Sequence, residues 1–330
     1  MSLLTVRYSE VQTYIECQKR WDFQYRGWVM GQPLQPKSVD SILYNGTALG
    51  HALAAYHSGE DLDKSKQAAI DFTSERLTLL EKKGIEFDLE EESEHLANVI
   101  KCVDQHAEYA ERLNLIETEL EVDHEVNGVR FRGHLDGLHK AENGQLFIVE
   151  FKMRGRFYDL WDVYAMRQLR YYSYFLKSQG MDIAGLYYDE TLNDFPSPMR
   201  ITSKGMPDGR YTYRLDEYTR WCDEHGVEYD EKLYKRCAGK EYHKRHEIYF
   251  DEWDWQDIAT ELAEVSQRML QEYGKHPTLV PNYPLRNTIN SRCGGCPFKA
   301  ICFNHDVELA KELYDPWINS NLQDADTETD

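Results

Sequence analysis

The chain has 330 residues, 41% of them hydrophobic and 29% charged, enough for one elaborated globular domain or two modest ones. Lys and Arg total 38 against 58 Asp and Glu, a net charge of −20, which excludes a broadly cationic coat for nucleic acid and leaves room only for a local basic channel. There is no apolar run of the ~18 residues a membrane span needs, and the N-terminal MSLLTVRYSEVQTYIEC turns polar without a signal-peptide core, so the cytoplasm is the expected location.

Ser9 and Gln12 form a capping-box pattern ahead of a first helix that carries Val11, Tyr14, Ile15 and Gln18 at helical spacing, with Cys17 on it. A Gly/Pro-bearing loop follows over 27–40. NGTALGHALAAYH (45–57) predicts a helix with Leu49, Ala52, Leu53 and Tyr56 facing inward, and charged helices follow over 61–83 and 88–114. The period then changes. Residues 119–126, 129–139 and 145–152 are strand-like, with Asn127-Gly128 and Asn143-Gly144 as turn signals, which predicts an antiparallel meander. A helix over 162–180, closed by Gly180, and a strand over 183–190 come next. Residues 191–250 are mixed, with polar helices within 215–236 and a short strand at 246–250. A further helix spans 257–274, and the acidic tail 324–330 is expected to be disordered. These readings divide the chain into a helical region (1–115), a core (116–190), an insert without an assigned role (191–256), a C-terminal helix with a cysteine loop (257–315) and the tail (316–330).

Alternation in the third strand puts Glu150 and Lys152 on one face with Leu146 and Ile148, and Phe147, Val149 and Phe151 on the other. On the preceding strand Asp136 shares a face with Arg130, Arg132 and His134. Pairing the two strands through the Asn143-Gly144 turn brings Asp136 toward Glu150. Two carboxylates side by side repel, and a hard divalent cation relieves that repulsion while activating water and neutralising a phosphate. A neighbouring ammonium, Lys152, could stabilise the developing negative charge. The plainer alternative is a salt-bridge cluster at a sheet edge.

Taken together, GHLDG (133–137), EFK (150–152) and QLRYY (168–172) resemble the G-x-x-D, E-x-K and Q-x-x-x-Y series of the RecB-like PD-(D/E)XK nucleases, and GTALGHALAAYH resembles that family's upstream helix with a metal-binding histidine. The resemblance implies an α/β restriction-endonuclease-like core, a mixed sheet flanked by helices, with helical elaboration. It implies that His51, Asp136 and Glu150 bind Mg²⁺ or Mn²⁺, that Asp136, Glu150 and Lys152 are catalytic, and that Gln168 and Tyr172 touch nucleic acid. Lys152, Arg154 and Arg156 after the strand, and Arg167 and Arg170 on the helix, interleave with Tyr158, Trp161, Tyr164, Tyr171 and Tyr174. Such a strip could hold phosphates and stack exposed bases, with Arg154 and Arg156 among the DNA contacts. Part of these aromatics is expected to be core.

Seven cysteines in a chain with no expected secretion do not form a disulfide framework. Cys293, Cys296 and Cys302 give C-x2-C-x5-C in a Gly/Pro-containing loop, three thiolates where tetrahedral zinc or a 4Fe-4S cluster wants four. In the CRISPR-associated and AddB-type iron–sulfur exonucleases, which this part of the chain also resembles, the fourth cysteine comes from the N-terminal helix, and Cys17 stands in that place. The resemblance favours iron–sulfur over zinc and implies a cluster-stapled terminal subdomain. Cys102, Cys222 and Cys237 are read as ordinary thiols. The expected activity is a metal-dependent deoxyribonuclease, an exonuclease on single-stranded ends, with DNA and possible helicase or recombination proteins as partners and no membrane. The alternative is a non-catalytic iron–sulfur DNA-binding or helicase-partner subunit. A third is a zinc-stabilised interaction protein unrelated to DNA.

Overall fold

A computed structural model describes residues 4–27, 33–36, 42–82, 87–273, 293, 296–304 and 313–316. The expected tail at 324–330 and the Gly274 helix stop lie outside the described residues. One mixed sheet organises the rest, with strands β1 (Leu4–Arg7), β3 (Leu115–Val126), β4 (Val129–Lys140), β5 (Leu146–Arg154), β6 (Ile183–Leu192) and β7 (His243–Tyr249). Their order is β1-β4-β5-β6-β7, with β3 also on β4. β3, β4 and β5 are antiparallel, as the Asn-Gly turns predict. Asn127 and Gly128 both take positive φ, 52° and 80°, the left-handed conformation such a turn needs and these residues tolerate best. β6 returns parallel to β5 after a helical crossover, and β7 closes the sheet antiparallel to β6.

Helices cover both faces because each face of β5 and β6 is apolar. Phe147, Val149, Phe151 and Tyr187 pack with α3 (Ile42–His57), α4 (Leu62–Lys82) and α5 (Leu89–Tyr109). Ile148, Leu186 and Tyr188 pack with α1 (Tyr8–Glu16), α7 (Arg167–Ser178) and α10 (Glu252–Tyr273). Asp88 caps α5 by accepting from the Glu90 and Glu91 N–H groups. Residues α8 (Leu215–His225) and α9 (Glu231–Ala238) enclose a small separate core of Tyr213, Tyr218, Cys222, Leu233 and Cys237.

Three expectations differ from the structure. The Ser9/Gln12 capping box does not form: β1, unanticipated in the sequence, runs straight into α1, whose N-cap is Arg7 with no side-chain cap bond. Gln12 instead donates to Glu16 and accepts from the Tyr8 hydroxyl. The helix expected over 162–180 is broken into α6 (Leu160–Tyr164) and α7, because Met166 adopts an extended conformation (φ −72°, ψ 103°). Asp159 starts α6 by accepting from the Trp161 and Asp162 N–H groups. The first helix ends at Cys17, itself extended, before the short α2 (Gln18–Trp21) and a π-helical turn over Asp22–Arg26.

The N- and C-terminal segments meet. β2 (Leu34–Pro36) pairs antiparallel with β8 (Tyr314–Pro316), and Phe23, Leu34, Phe298, Ile301 and Tyr314 form one small core. Cys296 and Cys302 pack against that core, Cys302 from α11 (Lys299–Asn304).

Candidate functional site

The sheet forks in the middle of β4. β4 pairs with β5 over Gly137–Lys140, and with β1 over Val129–Arg132. Gly133 to Asp136 lies between these two stretches, held by β3 on its other side. Asp136 bridges the opening: its Oδ2 accepts from the Phe151 N–H at 2.7 Å, where the ladder would otherwise have supplied a carbonyl. One residue along β5, Glu150 is 4% exposed and ion-pairs with the ammonium of half-buried Lys152.

The electrostatics follow from that crowding. Burial, then the charge of Glu150, push the Asp136 carboxyl well above the usual range, while Lys152 and the Phe151 N–H oppose the shift. For Lys152, burial works to lower the pKa, but Glu150 and Asp136 outweigh it and hold the ammonium above its ordinary value. One cation against two inward carboxylates leaves an unrelieved negative charge, which a hard divalent ion fits.

α3 approaches the same point. Gly50 faces Asp136, where a Cβ would stand 3.5 Å from Oδ1. The next residue, His51, places Nδ1 3.5 Å from Glu119 Oε1 and stacks on Phe72 at 4.6 Å. Burial lowers the His51 pKa, with Glu75 opposing, so the imidazole is neutral and able to donate a lone pair. Asp136, Glu150 and Lys152 thus meet at the fork, and α3 brings Gly50 against Asp136 and His51 against Glu119 beside it; carboxylate oxygens and imidazole are donors of the kind Mg²⁺ and Mn²⁺ accept.

Glu119 is the member of this group that sequence reasoning missed. It lies opposite Asp136 in the β3–β4 register, between the pairs Thr118↔Gly137 and Leu120↔Leu135. Its φ is +51°, and burial followed by the charge of Glu150 pushes its carboxyl up to about 7. β3 carries glutamates at 117, 119 and 121, and nothing in their alternation says which one turns inward.

Beside the fork opens a cavity of about 440 Å³, lined by Tyr8 and Gln12 of α1, Glu150, Lys152 and Arg154 of β5, Tyr158, Tyr188 and residues 165–169. Gln168 reaches it; Tyr172 is buried instead. The Tyr172 hydroxyl lies only 1.8 Å from where a Cβ on Gly133 would sit, so the glycine of GHLDG makes room for the ring. Burial and the charge of Glu150 raise the Tyr172 pKa, and a hydrogen bond from Gln168 opposes them, tying the two residues together. Arg154 bonds to the Tyr188 hydroxyl and covers the Tyr158 ring at 4.3 Å, and Arg156 is exposed. The basic strip expected along α7 is not free: Arg167 is paired with Glu261 and Arg170 with Asp257, both on α10. Tyr164 bonds to Asp254, and Tyr171 is buried. Trp161 remains 74% exposed.

The cysteines stand apart from this site. Burial raises the Cys296 thiol, and the charges of Cys17 and Cys293 raise it further, so the N-terminal and C-terminal cysteines share one neighbourhood. Among the described residues, however, the groups that converge within 4.8 Å of one another, as ligands of one small ion would, are His57, His106 and Asp189, rather than the thiols or the expected set of His51, Asp136 and Glu150. These three are held by hydrogen bonds throughout. The Leu113 N–H donates to His57 Nδ1 at 2.9 Å, which leaves the His57 proton on Nε2, facing His106 Nε2 at 2.9 Å. His106 then carries its proton on Nδ1, 2.9 Å from Thr191 Oγ1 and 3.6 Å from Asp189. Asp189 also accepts from His243 and, at 2.6 Å, from Arg245 Nε.

No helix among the described residues is long and apolar enough to cross a membrane. No curated protein matches the chain. A family model does, over residues 6–303, a span that includes every strand of the forked sheet but the first residues of β1: the chain belongs to the PD-(D/E)XK nuclease superfamily.

Proposed function

We propose that the protein is a Mg²⁺- or Mn²⁺-dependent deoxyribonuclease that works as an exonuclease on single-stranded ends, as in the RecB-like branch of the superfamily. The observation that carries this reading is the fork itself. Asp136, Glu150 and Lys152 are gathered at one break in a sheet, with His51 brought up by α3, in a chain of this superfamily. His51, Asp136 and Glu150 would hold the cation. The cation, when bound, lowers the pKa of water and neutralises charge on the scissile phosphate.

The chain's own residues do the rest. Lys152, kept protonated by Glu150 and Asp136, orients the attacking water and stabilises the negative charge that builds on phosphorus oxygens. Water adds to phosphorus as the bond to the leaving oxygen breaks, the attacking water giving one proton to solvent and the leaving oxygen taking one from solvent. Gln168 in the cavity wall contacts the strand beside the scissile bond, with Arg154 and Arg156 at its phosphates. Tyr172, fixed under Gly133, holds Gln168 in place. The cavity of about 440 Å³ has the size of a cleft for a small ligand, which supports a single strand end rather than a duplex as its occupant.

The same reading assigns Cys17, Cys293, Cys296 and Cys302 to a 4Fe-4S cluster that staples the two chain ends. It is supported by the shared neighbourhood of Cys17, Cys293 and Cys296 and by the β2–β8 pairing beside them. Zinc on the same thiolates is the alternative occupant. The test is to incubate the anaerobically purified protein with end-labelled single- and double-stranded DNA, with and without Mn²⁺. Stepwise shortening of the single strand only with Mn²⁺ is expected. Binding without cleavage would favour instead an iron–sulfur DNA-binding or helicase-partner subunit.

A further inference from the structure

We propose that Glu119 of β3 is an additional protein ligand of the divalent cation, so that the site closes around the ion from three strands and one helix rather than two strands and one helix. The proposal rests on the nuclease reading of the fork. Two observations place Glu119 there. It stands directly across the β3–β4 ladder from Asp136, at the position where the regular pairing is interrupted. Its carboxylate lies 3.5 Å from the Nδ1 of His51, the residue that reaches the fork from α3.

The backbone supplies the reason. Glu119 holds φ at +51° inside a strand, with Asn127 of the β3–β4 turn the other non-glycine residue of positive φ among the described ones. Asn in an Asn-Gly turn tolerates that region; a glutamate in mid-strand gains nothing from it locally. Standing opposite Asp136, the 119 side chain lies on that residue's face of the ladder, toward the fork. Side chains in regular alternation on either side take other roles: Glu117 is exposed, and Glu121 pairs with Arg132. A strained residue that carries its carboxylate to a group of like charges is explained by a cation that holds them all.

The experiment measures Mn²⁺ binding to the full-length protein without DNA, by the loss of the free-ion paramagnetic resonance signal, for wild type, E119Q, E119G and E117Q, with D136N alongside. Thermal melting of each without metal accompanies the titration. E119Q keeps the shape and removes the charge; E119G removes the carboxylate while easing the backbone, since glycine accepts positive φ. Both are expected to weaken Mn²⁺ binding about tenfold or more, the scale of losing a group that shapes a metal site, and E119G to melt no earlier than wild type. E117Q should bind as wild type does. Wild-type affinity in E119Q or in E119G, with D136N impaired, overturns the assignment of Glu119 and leaves the nuclease site standing. Wild-type affinity in D136N as well would overturn both.

Discussion

α3 carries two histidines, His51 and His57, and they differ in what their nitrogens are free to do. His51 is half-buried with Glu119 as its carboxylate neighbour, and Glu119 in turn feels the charge of Glu150 at a fork where one ammonium faces more than one carboxylate. His57 is buried, stacks on Phe151 at 5.1 Å, and sits in a chain where each ring nitrogen has a fixed neighbour. Phe151 links the two: its ring lies on His57, and its N–H holds Asp136. A group of titratable residues therefore does not announce a metal centre by convergence alone. The His57–His106–Asp189 group converges more tightly, yet its tautomers are set by a backbone N–H and it is balanced by Arg245. The fork is unbalanced, and imbalance is what a cation corrects.

The largest effect should come from removing one carboxylate of the unbalanced group. Glu150→Gln is expected to lower Mn²⁺-dependent cleavage on the order of a thousandfold, about 4 kcal/mol of transition-state stabilisation. It should leave metal-free melting unchanged or slightly raised, since a repulsion is removed. Single-turnover cleavage of labelled DNA and a melting curve decide it, and wild-type cleavage would break the assignment.

The balanced group should answer in the opposite way. Asp189→Ala leaves Arg245 and its histidine neighbours without their buried counter-charge, which costs about 3–5 kcal/mol of stability. Mn²⁺ affinity at the fork, measured well below the melting temperature, should hardly move. A variant that melted as wild type but lost Mn²⁺ would reverse the roles given to the two groups.

pH sharpens the same contrast with a somewhat smaller effect. Burial lowers the His57 pKa to about 2 and that of His106 to about 4. Each binds a proton more readily in the unfolded chain, at the ordinary value near 6.5, than in the folded one. Their contribution is fully present above about pH 6.5 and is lost as pH falls toward the folded values. Asp189, held low by His243, His106 and Arg245 against the opposing effect of burial, loses its contribution in the same direction at still lower pH. For His106 alone the expected loss between pH 7.5 and 5 is on the order of 2 kcal/mol. Denaturant unfolding at both pH values measures it; equal stabilities would mean the histidines are not buried neutral.

The motif-bearing parts of this architecture were legible because they depend on local spacing. Glu150 and Lys152 share a face through strand alternation, and the Asn-Gly turns set the meander, whereas the reason for Gly133 in the GHLDG motif, the Tyr172 ring, comes from another element. What could not be read depends on residues far apart. β1 is four residues long and gains its meaning only by pairing with β4. The break at Met166 has no proline or glycine to signal it. Glu119 is one of three alternating glutamates until β4 and α3 arrive around it, and the histidine chain joins α3, α5, β6 and β7. The pairing of Arg167 and Arg170 with α10 likewise cancels a strip that looked basic along one helix.

That cancellation carries the smallest and most discriminating prediction, for it extends the contrast between occupied and available groups from the metal site to the DNA path. An arginine already neutralised by a neighbouring carboxylate releases few counterions when a phosphate arrives, because it held a protein partner rather than a salt ion. Arg170 is such a residue: it is largely shielded and bound to Asp257 at 2.6 Å. Arg156 is exposed just beyond the end of β5 that carries Glu150 and Lys152. On a single strand each phosphate neutralised contributes about 0.7 to the slope of log affinity against log salt. Arg156→Ala should therefore reduce the slope by about 0.7, whereas Arg170→Ala should leave it nearly unchanged. Asp257→Ala should steepen it by a similar amount, by releasing Arg170 to the strand. Titrations of fluorescent single-stranded DNA in EDTA, which withholds the divalent cation that cleavage needs, over a fourfold range of salt, would read all three. Equal losses of slope in Arg156→Ala and Arg170→Ala would show that the α10 carboxylates do not hold the helix arginines in solution, and the strip along α7 would return as the path of the DNA.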